Sequence, residues 1–360
     1  MQIAFIPTGN AGVSFYRVWQ PAEALRARGH KVAVMWYKHD MIDAHPWEFE
    51  LGNFNSIYSD LKQAFKWAQV VVCQKLHTEE SLRAILSLKT QYKKPVLMEL
   101  DDNIFSIPEA NAAVGYYDPG AFHMKLSHQQ MKQSDGMVVS TPDLAEVCGT
   151  INKHVYISQN VIDLKLWRGN SSHPRRSKNI TIGWFGGGNH NADLEIAYRA
   201  LCSVAAARPK VQVKVMCGAP KPDWFQQKPN MRWLHDYTTI DKYPKLVRKL
   251  KLDIGLAPLV DNAFNRSKSN LRWLEYSALG IPCVASNVGH FTQTITPGST
   301  GILVENDGWK TAIETLIEST EYRLELGMAA QQIIEHHWNP QTSAKQYEQI
   351  FKEVRRKCQA

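Results

Sequence analysis

Ile180-Thr181-Ile182-Gly183-Trp184-Phe185 runs straight into Gly186-Gly187-Gly188-Asn189-His190-Asn191-Ala192-Asp193. A short apolar run that enters a glycine turn and then a helical pattern is the opening of a parallel βα unit. Three consecutive glycines are costly to order. After the first strand of a doubly wound unit they let a phosphate or a sugar approach the backbone closely. The spacing is not GxGxxG. The next apolar run, VQVKVMC (211–217), ends in Gly218-Ala219-Pro220 with no acidic residue. A dinucleotide fingerprint, and with it an NAD-dependent oxidoreductase, is disfavoured.

Working outward, MRWL (231–234), LDIGLAP (252–258), PCVAS (282–286) and GILV (301–304) continue the series toward the C-terminus. An equivalent series precedes it: IAFI (3–6), VAVMW (32–36), VVVC (70–73), PVLMEL (95–100), MVVS (137–140) and VYI (155–157). Helix-length segments separate the runs, which predicts an α/β fold with two Rossmann-like doubly wound parallel sheets. The polar, basic stretch 158–179 reads as a connection between them. The expected division is a first domain over 1–165, a linker over 166–179, a second domain over 180–336 and a C-terminal helix over 337–360. His337-Trp338-Asn339-Pro340 breaks that last helical pattern, and a helix restarting near Thr342 is expected to cross back to the first domain.

The 360 residues are 44% apolar and 21% charged, ordinary for a soluble globular chain. No apolar run approaches the roughly 20 residues that span a bilayer, and the start MQIAFIP reads as a first strand, not a signal peptide. Cys73, Cys148, Cys202, Cys217, Cys283 and Cys358 are scattered without metal-ligand spacing. Reduced thiols in a cytoplasmic protein are the expectation. The net charge of +8 suits an anionic partner: a sugar nucleotide, a nucleic acid or an anionic surface. Basic residues gather in two places. Lys153, Lys165, Arg168, Arg175, Arg176 and Lys178 lie in and before the linker, and Lys242, Lys245, Arg248, Lys249 and Lys251 form a later cluster. Both are either solvated faces or contacts to phosphate.

Two further segments carry candidate chemistry. Pro7-Thr8-Gly9-Asn10-Ala11-Gly12 follows the first strand, with a helix expected from about Ser14; it is either a tight βα turn or a ligand loop. The denser one is Asp261-Asn262-Ala263-Phe264-Asn265-Arg266-Ser267-Lys268-Ser269-Asn270-Leu271-Arg272-Trp273-Leu274-Glu275, continuing to Gly280 and Pro282. A helix capped by Ser267 and stopped at Gly280 is expected. Arg266 and Lys268, with Ser269 beside them, would add positive charge at its N-terminus and favour an anion. Glu275 would lie two turns beyond Lys268 on the same face and could accept hydrogen bonds from two vicinal hydroxyls, as on a ribose.

SKSNLRWLEYSALGIPCVAS (267–286) resembles the donor-site segment of the retaining glycosyltransferases with the GT-B fold, in the manner of glycosyltransferase family 4. PTGNAGVSFYRVWQPAEALRARGHKVAV, MELDDNIFSIPEAN, SQNVIDLKLW and IGWFGGGNHNADL are similar to other segments of that family in the same order. The resemblance implies two domains facing across a cleft and retaining transfer of a sugar from a nucleotide sugar, a UDP-sugar being favoured. The first domain would be the acceptor domain and the second the donor domain. Carried over, Glu275 holds the ribose. Lys268 and Arg266 hold the diphosphate. Gly186, Gly187 and Gly188 lie against the donor, and Gly12 and Arg17 face it from the first domain. The family's first glutamate is replaced here by Ser267, which bears on recognition of the transferred sugar. Asp101-Asp102-Asn103 could bind a metal, cap a helix or orient an acceptor hydroxyl; the resemblance implies no catalytic metal and no cofactor beyond the donor. Asp102 and His123 are the candidate general bases. The acceptor is a glycan, a lipid-linked sugar or a hydroxymethylated base in DNA. A non-catalytic protein that binds nucleotide sugars or glycans is the alternative from another class.

Overall fold

The computed structural model describes residues 1–9, 12–35, 57–111, 113–169, 179–236 and 238–359. Their contacts divide the chain into two compact units: Met1–Ser106, Gly115–Asn160 and Pro340–Ala360 form one, and Ile107–Val114 and Val161–Asn339 the other. Each holds one six-stranded, wholly parallel sheet, so the expected α/β fold with two doubly wound sheets is what forms.

In the first unit β1 (Gln2–Ile6), β2 (Lys31–Val34), β3 (Val70–Cys73), β4 (Val96–Leu100), β5 (Gly136–Val139) and β6 (Val155–Ile157) take the order β2-β1-β3-β4-β5-β6. The central strands β3, β4 and β5 are buried at every residue, as parallel strands covered on both faces must be, whereas edge strand β6 is only half-buried. The helices are α1 (Gly12–Ser14), α2 (Gln20–Ala27), α3 (Ile57–Trp67), α4 (Glu79–Tyr92), α5 (Phe122–Gln133) and α6 (Pro142–Gly149). The helix expected from Ser14 is therefore wound in pieces, with a π-helical turn over Phe15–Trp19 between α1 and α2. Thr78 and Thr141 cap α4 and α6 by accepting from Ser81 N and Leu144 N.

In the second unit β7 (Thr181–Gly186), β8 (Gln212–Cys217), β9 (Met231–His235), β10 (Ile254–Ala257), β11 (Cys283–Ser286) and β12 (Ile302–Val304) take the order β12-β11-β10-β7-β8-β9. Its helices are α7 (Leu164–Arg168), α8 (Asn191–Ala207), α9 (Tyr243–Leu250), α10 (Ala263–Arg266), α11 (Leu271–Ala278), α12 (His290–Thr294), α13 (Trp309–Glu318) and α14 (Thr320–His337). Ile182, Trp184, Leu201, Val213, Val215 and Ile254 belong to its core. The last helix, α15 (Pro340–Gln359), belongs to the first unit and packs on α2. Its proline opens the first turn, where the missing N–H leaves no bond unmade.

The strand order reverses beside β1 in the first sheet and between β7 and β10 in the second. Ligands of open α/β sheets bind outside the carboxyl ends of the strands at such a point. Asn10 and Ala11 of the first glycine loop, Trp36, and Arg175, Arg176 and Lys178 of the basic linker lie outside the described residues. No helix among the described residues is long and apolar enough to cross a membrane.

Candidate functional site

At the reversal point of the second sheet, β7 delivers Gly186, Gly187 and Gly188, and α8 starts at Asn191. The glycines differ in what surrounds them. A Cβ on Gly186 would lie 2.6 Å from the Trp184 ring and 2.7 Å from Arg272 Nη2, and one on Gly188 would lie 2.6 Å from Ala219 Cβ. Only at Gly187, which is exposed, would a Cβ meet nothing within 4 Å. Protein atoms therefore explain Gly186 and Gly188, and Gly187 is the one of the three with open space for a ligand.

Asp193, in the first turn of α8, joins this turn to the segment after β10. Its Oδ1 accepts from Val260 N at 2.9 Å and Asn265 Nδ2 at 2.7 Å, and its Oδ2 meets His190 Nδ1 at 2.8 Å. The carboxylate is 8% exposed, so these bonds offset the cost of its burial. Burial pulls the His190 imidazole below its ordinary pKa; the bond to Asp193 opposes this, and the positive charges of Lys268 and Arg272 reinforce it. The ring also meets Trp184 edge-on at 5.8 Å.

The helix expected from Ser267 starts only at Leu271, and a separate short helix lies before Ser267. Asn262 caps α10 by accepting from Asn265 N, that helix ends at Arg266, and α11 starts only at Leu271. Ser267 is not an N-cap; its hydroxyl donates back to Ala263 O. Lys268 accordingly precedes the helix and does not share a face with Glu275. Its ammonium lies 4.5 Å from the Phe264 ring centroid, and Ser269 is half-buried beside it. Arg266 is exposed and bidentate on Asp261, at 2.6 and 3.0 Å. A surface pair of this kind is worth little and is easily exchanged for another anion.

Glu275 is buried, and Arg272 Nη1 donates to its Oε2 at 2.5 Å. Arg272 also lies over the Phe185 ring at 4.5 Å and near Trp184 at 5.5 Å. Burial works against its charge, but Glu275 and the Tyr243 and Tyr276 hydroxyls outweigh it and hold the guanidinium charged. The Tyr276 hydroxyl spans Gly183 O (3.1 Å) and Leu256 O (2.9 Å), which fixes α11 across β7 and β10. Glycine turn, imidazole, guanidinium and carboxylate are thus gathered at one end of one sheet, where the cations Lys268 and Arg272 suit a phosphate and the Glu275 carboxylate a polyol.

The first unit uses its reversal point differently. Arg17, expected to face a donor, is 2% exposed. Its Nε pairs with Glu99 Oε1 at 2.6 Å, and its Nη1 donates to Ser158 O (2.5 Å) and Asn160 Oδ1 (3.0 Å). Gln74 continues the network: its Nε2 donates to Glu99 Oε2, and its Oε1 accepts from Thr8 N and Ser14 Oγ. The guanidinium thus ties the carboxyl ends of β4 and β6 together from inside. Gly12 is half-buried with nothing within 4 Å of an added Cβ.

Asp101 and Asp102 follow β4. Burial, then Asp102 and Glu99, push the Asp101 carboxyl up to about 7, against Lys75 and Arg17. Burial alone would lower Lys75, but Asp101, Tyr117 and Asp102 raise it on balance, and its ammonium lies 5.2 Å from the Tyr117 ring. His123 sits among rings, with centroids 5.9 Å from His77, 5.4 Å from Tyr116 and 5.3 Å from Phe122. Its Nδ1 is buried and has no partner among the described residues. No cluster of three or more metal-binding side chains occurs among the described residues.

Sequence reasoning passed over His190, Asp193 and Arg272. The signal was present as spacing: His190 and Asp193, and Arg272 and Glu275, are both i,i+3 pairs of opposite charge type on helical segments.

Residues 179–319 match the family model described as Glycosyl transferases group 1. Three solved structures with the same two-domain fold are similar over nearly the whole chain. HepE of Anabaena, solved with UDP and glucose, has a TM-score of 0.66 at 14% identity, covering 98% of this chain and 100% of that one. Sucrose-phosphate synthase of Thermosynechococcus elongatus gives 0.63 at 16%, covering 98% and 99%. The catalytic domain of starch synthase IV of Arabidopsis thaliana, bound to ADP and acarbose, gives 0.67 at 12%, covering 99% of each. No curated protein matches the chain in sequence. The matched domain makes this chain a glycosyltransferase, and the fold it shares with these structures is GT-B.

Proposed function

We propose that the chain transfers a sugar from a nucleotide sugar to an acceptor hydroxyl with retention of anomeric configuration, and that the second unit holds the donor. The observation that carries this reading is the Arg272–Glu275 pair, with Lys268 and the Gly187 turn, at the carboxyl ends of β7 and β10. The β- and α-phosphates take the cations Lys268 and Arg272 and, by exchange from Asp261, Arg266. Glu275 accepts from the ribose hydroxyls, and Gly187 gives the backbone room to meet the donor. As the glycosidic bond breaks, negative charge grows on the leaving diphosphate, and fixed cations stabilise it without reorganising. That supplies what a divalent ion would otherwise supply, so transfer proceeds without a metal.

A UDP-sugar is the favoured donor and a glycan or surface-polymer precursor the favoured acceptor, with the work done in the cytoplasm. Two of the similar structures were solved with UDP and glucose or with ADP and acarbose, which supports a nucleoside diphosphate in this fold. Asp102 and His123 of the first unit are the acceptor-side candidates for taking the hydroxyl proton. The test is a thermal-shift series with UDP, ADP, GDP, CMP and dTDP and their sugars, with and without EDTA. A ligand that binds only the folded protein raises the melting temperature. One nucleotide that stabilises equally in EDTA is the expected result; no shift with any of them, from folded protein, removes the donor site.

A further inference from the structure

The His190–Asp193 pair is built as an oriented imidazole, not only as a brace. Val260 N and Asn265 Nδ2 both donate to one Asp193 oxygen, the environment of an ionised carboxylate, and His190 Nδ1 meets the other. An ionised carboxylate only accepts, so the proton between them sits on His190 Nδ1, and the neutral ring carries its lone pair on Nε2. Among the described residues Nε2 has no hydrogen-bond partner. It is not sealed from solvent, and the side chain as a whole is 24% exposed. The ring is fixed on one side by Asp193 of α8 and on another by the Trp184 ring of β7. Two cations act on it, Lys268 from the segment before α11 and Arg272 from α11 itself.

We propose that His190, held by Asp193, is a proton-linked contact to the donor diphosphate: neutral in the free protein, it takes a proton from solvent at Nε2 when the diphosphate arrives and donates it as a hydrogen bond to a phosphate oxygen. The inference rests on the donor site proposed above. Its physical basis is charge balance. Without ligand, burial and the Lys268 and Arg272 charges disfavour a third cation, and the Asp193 bond compensates only in part. A diphosphate brings negative charge to the same cations, cancels their repulsion and adds an acceptor for the new N–H. Affinity must then increase as pH falls, by linkage. During transfer the charge growing on the leaving group strengthens the same bond, so the imidazolium also stabilises the departing diphosphate.

The experiment is calorimetric titration of the full chain with UDP-glucose, ADP-glucose and GDP-glucose between pH 5.5 and 8.5. Phosphate diesters of this kind keep constant charge over that window, so any proton taken up belongs to the protein. Wild-type affinity should tighten by about tenfold for each unit by which the ligand raises the histidine pKa, and His190→Gln should flatten the profile while keeping its melting temperature. Histidine-selective NMR of the wild type gives an independent reading, in which the His190 ring should titrate at least about one unit higher in the complex. Binding that is tight but independent of pH in the wild type, a His190→Gln profile as steep as wild type, or an unmoved His190 titration each overturn the inference while leaving the donor site standing. Failure of all three nucleotide sugars to bind at any pH overturns the donor site, and the inference with it.

Discussion

Replacing Arg272 with methionine isolates the charge at the centre of the site, because the thioether keeps much of the stem's packing over Phe185. In the wild type Arg272 and Glu275 meet at 2.5 Å with side chains 18% and 4% exposed. Removing one partner of a buried pair leaves the other charge in a poorly solvating environment, at a cost of about 3–5 kcal/mol. Arg272 keeps some contact with water, which places the expected loss near the lower end, about 3 kcal/mol. For a unit of this size each kcal/mol lowers the melting temperature by about 2–4 °C, so the second unit's transition should fall by about 6–12 °C. Differential scanning calorimetry of wild type and Arg272→Met reads it directly. The double variant Arg272→Met/Glu275→Met removes both charges, and much of the loss should return, since replacing a whole buried pair with apolar groups is often nearly neutral. A single variant within about 2 °C of wild type, or a double variant no more stable than the single, would refute the claim that burial of this pair controls the unit's stability.

Two glycines in one turn should behave oppositely. Gly186→Ala forces a methyl against Trp184 and Arg272 and should cost about 1–3 kcal/mol by overpacking. Gly187→Ala meets open space and should change stability by less than about 0.5 kcal/mol, while weakening nucleotide-sugar binding; thermal unfolding with and without the sugar separates the two. In the first unit, burial beside Asp102 and Glu99 raises the Asp101 carboxyl from its ordinary value to about 7. An acid whose folded pKa lies above its unfolded one binds more protons when folded, so the protein loses stability as pH rises from about 4 to 7. Asp101→Asn should therefore melt higher than wild type at pH 8, with the difference closing toward pH 4; a constant difference across that range would contradict the assignment.

The fold was legible because each sheet is parallel and covered on both faces, which makes its central strands continuous apolar runs. VVVC (70–73) and CVAS within PCVAS (282–286) are buried at every position. The site was legible only in part. Five cap-type residues, Asn262, Asn265, Ser267, Ser269 and Asn270, stand within nine positions, and periodicity does not say which of them starts a helix. Asn262 caps the first short helix, and the second begins after Asn270, so Lys268 lies between helices and not on one. Arg17 reads as an exposed basic residue on a first helix. Only Glu99, Ser158 and Asn160, between 82 and 143 positions away, draw it inside. His190 and Arg272 escaped notice because each looks like an ordinary polar residue until its i+3 partner is found buried against it.

The residues at the carboxyl ends of β7 and β10 are proposed to hold a nucleotide sugar for transfer. The direct measurement is the rate at which nucleoside diphosphate is released from the nucleotide sugar that stabilises the protein, for wild type, Lys268→Ala and Glu275→Gln. Each change removes a charged hydrogen-bonding group worth about 1–3 kcal/mol, so at limiting donor both variants should release diphosphate roughly 5- to 150-fold more slowly than wild type. Variants as fast as wild type, with melting temperatures showing that all three proteins are folded, would contradict the account.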